Sequence, residues 1–178
     1  MYQRLGDATS RADLESAIKG QDIVYASLAG NVVDQAKKLV AAMDKLGVKR
    51  LIWTSSLGIY DEVPGEFGKL NTRALPGYLQ TYREAADVIS NSDLDYTIIR
   101  PAWLTDNNEV DYENTSFNNN EAFKGTEISR KSVAAYVVSL VNDPEKDIRD
   151  SIGVDKPGSD GNRPRREVMI ANGFGPNM

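Results

Sequence analysis

A chain of 178 residues with 40% hydrophobic and 26% charged side chains can bury a core of its own as one domain, and a net charge of −5 argues against a nucleic-acid backbone as partner. It contains neither Cys nor His, which excludes disulfides, thiolate nucleophiles, imidazole bases and the usual zinc ligands; a Ser-His-Asp or Cys-His mechanism within the chain is excluded with them, and no metal site is assigned. No apolar run approaches a membrane span and no signal peptide is read, so the expected setting is the cytoplasm, with no membrane partner.

In chain order, residues 2–5 read as a short strand and Gly6-Asp7-Ala8-Thr9 as a turn. Thr9 or Ser10 caps a short helix carrying Leu14, Ala17 and Ile18, which Gly20 stops. The run Ile23-Val-Tyr-Ala-Ser-Leu-Ala-Gly30 opens as a continuous apolar strand of the kind buried on both faces. Asn31 then caps a helix in which Val32, Ala36, Leu39, Val40, Met43 and Leu46 recur at helical spacing, ended by Gly47. Residues 50–56 form the next strand, completing a βαβ unit with the expected right-handed crossover.

Residues 57–75 are rich in Gly and Pro and read as a long loop of the sort that covers a site. A helix from residue 76 or 77 to 91 has the apolar stripe Leu79, Tyr82, Ala86, Ile89, and residues 94–101 are a third strand. Residues 103–124 are polar and Asn-rich without a period, hence loop. Residues 126–128 read as a short strand, after which Ser129 caps a helix with Val133, Ala134, Val137, Val138 and Val141, broken by Pro144. Residues 151–154 are a last strand. The expected division is a domain over 1–155 and an extended tail over 156–178, whose Arg163-Pro-Arg-Arg166 reads as solvated.

Three apolar runs thus end in polar or small residues: Ala29-Gly30, Ser55-Ser56 and Arg100-Pro101-Ala102. As parallel strands they would place these ends along the one sheet edge where open α/β folds bind ligands. Each residue also has a plainer reading. Ser55, Ser56 and Pro101 can simply end strands, Asp7 can be a turn or cap residue, and Tyr82 suits the core. Tyr60 suits a rim and Arg83 a solvated helix face. Trp103 is core or lid, and Glu62, Glu66 and Asp106 read as solvated.

The order of Gly6-Asp7, Ala29-Gly30, Ser55-Ser56-Leu-Gly-Ile-Tyr60 and Asp95-Tyr-Thr-Ile-Ile-Arg-Pro101 resembles an atypical short-chain dehydrogenase/reductase, more narrowly the NAD(P)H-binding, NmrA-like proteins, over roughly residues 2–155. The resemblance implies an α/β, Rossmann-like three-layer fold with a mostly parallel sheet, and NAD(P)H as cofactor. It puts Asp7 and Ala8 by the adenine and Ser27, Leu28, Ala29 and Gly30 along the riboses. Pro101, Ala102 and Trp103 would flank the nicotinamide. Ser56 would take the catalytic serine's place and Ser55, adjoining it, would contact the cofactor; Arg83, about where the family's lysine falls, would hold a ribose hydroxyl or a phosphate, and Tyr60 is a proton-donor candidate.

Two departures follow. The family's first strand, G-x-x-G-x-x-G turn, helix and second strand are absent before Tyr2, so the expected fold is N-terminally truncated and lacks a cradle for the pyrophosphate. No Tyr has Lys four positions on, so the pair that lowers a phenol's pKa is missing. The function expected is an NAD(P)H-binding oxidoreductase passing hydride to a small-molecule substrate. The alternatives are a non-catalytic dinucleotide-sensing or protein-interaction domain, and a cofactor-free truncated form. Without the first two strands the Ile23 run becomes a bare edge that invites pairing between copies, a possible homo-oligomer.

Overall fold

The computed structural model describes residue 3 and residues 5–175. The elements run α1 (Arg11–Ile18), β1 (Ile23–Ala26), α2 (Val32–Leu46), β2 (Arg50–Thr54), α3 (Gly65–Ala74), α4 (Tyr78–Ser90), β3 (Asp95–Pro101), β4 (Trp103–Thr105), β5 (Glu113–Ser116), β6 (Glu127–Ser129), α5 (Arg130–Asn142), β7 (Asp150–Asp155) and α6 (Arg166–Ala171). The main sheet has the order β1-β2-β3-β7-β5; the first four strands are mutually parallel and β5 returns antiparallel on the far edge. A separate parallel pair joins β4 to β6. This is the mostly parallel α/β fold that the alternation of apolar runs and amphipathic helices predicts, Rossmann-like as the resemblance implies.

The helices form where caps and periodicity agree. Ser10 accepts a hydrogen bond from the Asp13 N–H at the start of α1, Asn31 from the Asp34 N–H at α2 and Ser129 from the Ser132 N–H at α5. Gly47 ends α2 in the left-handed region at φ 70°, where its N–H returns to the Asp44 and Met43 carbonyls. Because successive strand residues face opposite ways, the sheet sorts its apolar residues into two layers. Leu51, Trp53, Tyr96 and Ile98 pack under α1, α2 and α4, whereas Ile52, Ile99, Ile152 and Val154 pack under α3, α5 and α6. Each such fully buried aliphatic side chain contributes about 1.5–3 kcal/mol.

Several expectations need correction. Residues 57–75 are not loop throughout: Phe67 and Leu70 bury one face of α3, and Gly65 and Gly68 sit in or beside its first turn. Residues 103–124 contain β4 and β5, each too short for a period to show. Residues 156–175 are no extended tail, because α6 buries Val168 and Met169 in the second layer. β1 is not buried on both faces: as the sheet's edge it leaves Tyr25 47% exposed. The strand expected over residues 2–5 falls largely outside the described residues, and Leu5 is fully exposed and in no strand.

Candidate functional site

The parallel registers carry Ala26, Trp53 and Ile98 side by side, so β1, β2 and β3 end on one edge of the sheet. Just beyond, the Ser55 N–H donates to the Ile99 carbonyl (2.7 Å) and the Ala102 N–H to the Val154 carbonyl (3.0 Å), which holds both exits against their neighbours. Between them opens a cleft of about 270 Å³. Ser55, Ser56 and Leu57 line it from β2, and Pro101, Ala102, Trp103 and Leu104 from β3; Leu75 and Tyr78 close it at the start of α4, and Asn172 and Phe174 just past α6. Five residues assigned from sequence therefore share one cavity, and none of the side chains lining it carries a charge.

The walls are fixed by buried contacts. The Trp103 indole donates to Asn71 Oδ1 (2.9 Å) and its ring tilts against Phe174 at 4.9 Å, so Trp103 is a wall packed into the core rather than a mobile lid. Asn71 in turn donates to the Leu57 carbonyl (3.3 Å), tying α3 to the serine segment. The Ser56 hydroxyl donates to the Leu57 carbonyl (3.3 Å). The Ser55 hydroxyl is buried with no partner among the described residues, a polar group of the kind that is normally satisfied. The Tyr78 ring stacks on Tyr82 at 4.1 Å, and burial, then the neighbouring Tyr82 hydroxyl, raise the Tyr78 phenol above its ordinary value. A phenol so held stays neutral and gives up its proton reluctantly.

The β1 exit stands beside this cleft rather than in its wall. The Tyr82 hydroxyl donates to the Leu28 carbonyl (3.0 Å) and Gln35 Nε2 to the Ala29 carbonyl (3.1 Å); Ser27 and Gly30 are exposed, Gly30 at φ 85°. Asp7 and Ala8 line another hollow, about 240 Å³, against α1. There the Asp7 carboxylate accepts from the Thr9 N–H (2.7 Å) and hydroxyl (2.8 Å), and the first of these bonds lowers its pKa. Asp7 thus fills its turn role.

Tyr60 and Arg83 do not reach the serines' cleft. Tyr60 stacks on Phe117 at 4.2 Å and lies between the guanidiniums of Arg83 (4.8 Å from the ring centre) and Arg100 (5.5 Å). Burial raises its phenol against the pull of these charges, an unfavourable state for a proton donor. Arg83 is committed to Asp87 (3.0 Å) and the Ile59 carbonyl (3.2 Å), so it braces the loop instead of offering a free fork. Glu62 is not solvated. It pairs with Arg100, both side chains being almost wholly buried, and accepts from the Gly58 and Tyr60 N–H groups (2.9 Å each). Arg100 completes its donors on the Ser151 hydroxyl and carbonyl (3.0 Å each). The segment following Ser56 is therefore clamped by arginines from two elements.

Sequence reasoning missed Tyr78, Asn71, Asn172 and Phe174. Only Tyr78 left a signal, in the first turn of the predicted helix with an aromatic one turn later. No helix among the described residues is long and apolar enough to cross a membrane.

Comparison with known proteins gives a consistent result. The profile of a family described as NAD(P)H-binding matches residues 4–144. A Rossmann-fold NAD(P)-binding family protein from Shigella flexneri is 46% identical with a TM-score of 0.75, over 90% of this chain and 73% of that one. A short-chain dehydrogenase/reductase from Veillonella parvula, solved in complex with NADP, is 29% identical with a TM-score of 0.83, over 89% and 74% respectively. The UPF0659 protein YMR090W of Saccharomyces cerevisiae is 28% identical over 171 residues, 90% of this chain and 72% of that protein.

Proposed function

The chain belongs to the NAD(P)H-binding family, with oxidoreductase-like Rossmann folds among its structural neighbours, and from that premise we propose that it passes hydride to a small, uncharged carbonyl substrate in the cleft beyond β2 and β3. The observation that carries this is the unpartnered, buried Ser55 hydroxyl beside Ser56 in a cavity without charged walls. Such a cavity suits the flat, neutral nicotinamide amide and ring, with Pro101 and Ala102 along one side. Asp7 and Ala8 suit the adenine end by their own hollow. The diphosphate has no glycine-rich turn to hold it among the described residues. When bound, the reduced nicotinamide supplies the hydride; the protein supplies orientation.

Within the cleft, Ser55 and Ser56 would orient a carbonyl by donating to its oxygen, and Trp103 and Phe174 would exclude water from one side. Tyr78 adds a neutral donor at the rim. The absence of a Tyr-x-x-x-Lys pair supports placing the chain in the NmrA-like branch, with the proton for the product alkoxide drawn from solvent or substrate. We take the cytoplasm, where reduced nicotinamides are abundant, as its site of action. Calorimetric titration of the purified chain with NADPH and with NADH tests the reading. Saturable heat with either, lost on Ser55→Val or Pro101→Asp, supports it; no heat with both overturns it.

A further inference from the structure

We propose that Glu113, Asp155 and Asp160 form a binding site for a calcium-type divalent cation, at the sheet edge away from the cofactor cleft. The sequence alone assigned no metal, because these residues lie on separate segments: the start of β5, the end of β7 and the chain beyond it. Folding brings one carboxylate oxygen from each to within 4.8 Å of the others.

Three further observations distinguish this from an ordinary acidic surface. Asp155 is only 1% exposed, and its Oδ1 is buried without any hydrogen-bond donor. The Gly125 N–H faces the carboxyl group, but Oδ1 itself, which needs a proton, a cation or a donor, meets no donor among the described residues. Two basic side chains of the neighbouring segments are committed elsewhere: Lys156 pairs with Glu109 (2.7 Å) and Arg165 with Glu127 (2.6 Å). The backbone is also fitted closely around the group. Gly125 bridges to Asp160, and a side chain at position 125 would overlap the Asp155 carboxylate.

The donor chemistry favours calcium. An all-oxygen set of carboxylates from separate segments suits the flexible coordination of Ca²⁺, which accepts about six to eight oxygens, better than the strict octahedron of Mg²⁺. The exposed positions of Glu113 and Asp160 leave room for water ligands. A bound cation would pin the segment after β7, which leads to α6 and to Phe174 in the cleft wall.

The test uses the whole chain stripped with EDTA, then given CaCl₂ or MgCl₂, and follows thermal unfolding and calorimetric heat. Millimolar CaCl₂ is expected to raise the unfolding midpoint of the wild type by several degrees with saturable heat, and MgCl₂ to raise it less. Glu113→Gln and Asp160→Asn, both at exposed positions that leave the core intact, are expected to lose most of that shift and heat. No calcium-dependent heat or shift in the wild type overturns the proposal, and so does a shift of equal size in both variants.

Discussion

Replacing Glu62 by Ala removes one partner of a buried ion pair and leaves the Arg100 guanidinium charged, since arginine does not surrender its proton. What remains around it is the Ser151 hydroxyl and carbonyl and the faces of Tyr60, Phe117 and Phe123. With the Arg100 side chain 1% exposed and that of Glu62 7% exposed, water cannot hydrate the orphaned charge without opening the loop. Breaking one side of such a pair costs about 3–5 kcal/mol. The Gly58 and Tyr60 N–H groups lose their acceptor as well, but they belong to a loop that can turn them to solvent, so they add about 1 kcal/mol at most. The expected loss is about 3–6 kcal/mol, a large part of an ordinary domain's stability. Urea denaturation followed by far-ultraviolet circular dichroism measures it. The double change Glu62→Leu with Arg100→Met should recover much of the loss, because a well-packed apolar pair avoids the desolvation penalty. If Glu62→Ala falls within about 1 kcal/mol of the wild type, the account of the clamp is wrong.

The Tyr136 phenol is held well above its ordinary value, first by burial and then by its hydrogen bond to Asp147 Oδ2 (2.6 Å). A raised folded pKa means stability present below the unfolded value of about 10 and lost as pH rises beyond it; Tyr136→Phe should be less stable at neutral pH and show a shallower alkaline decline in chemical denaturation. Phe174→Ala should uncover the Trp103 indole and shift its fluorescence to longer wavelength, with little change at Trp53, buried in the other layer; an unchanged emission maximum would remove Phe174 from the cleft wall. A side chain at Gly153 would overlap the Phe123 ring and Thr115 Oγ1, so Gly153→Ala should cost about 1–3 kcal/mol in denaturation. We propose pairing between copies along the β1 edge, where Tyr25 is exposed; light scattering should give a mass above the monomer, and Tyr25→Lys should lower it, whereas a clean monomer in the wild type would count against pairing.

The parts of the fold that could be read from sequence are those whose determinants are local. The α2 stripe from Val32 to Leu46, the Ser129 cap of α5 and the apolar runs of β2 and β3 each state their conformation within one turn or strand. Where the determinant is distant, reading fails. Glu62 looks like any loop carboxylate until Arg100, on β3, closes on it. Phe174 follows a stretch of Gly, Pro and Asn, and nothing within that stretch indicates that α6 folds back across the sheet. β4 exists because its three residues pair with those of β6, a strand the sequence did mark at residues 126–128, and nothing within residues 103–105 announces that partner.

This division runs through the site itself. Strand exits supply Ser55, Ser56, Pro101 and Ala102, and parallel pairing alone puts them together, so their convergence follows from the pattern of apolar runs. The cover is another matter. Tyr78, Asn71, Asn172 and Phe174 come from three helical segments whose mutual approach is set by core packing, and it is these that shape the space a substrate must fill. On the function we propose, cofactor chemistry would be written in the sheet, where sequence is most legible, and substrate choice in contacts between segments far apart in the chain. A substitution at Phe174 or Leu75 should then change which carbonyl compounds are accepted while leaving nicotinamide binding intact, and a loss of NADPH heat in Phe174→Ala would show that the two functions are not separable in this way.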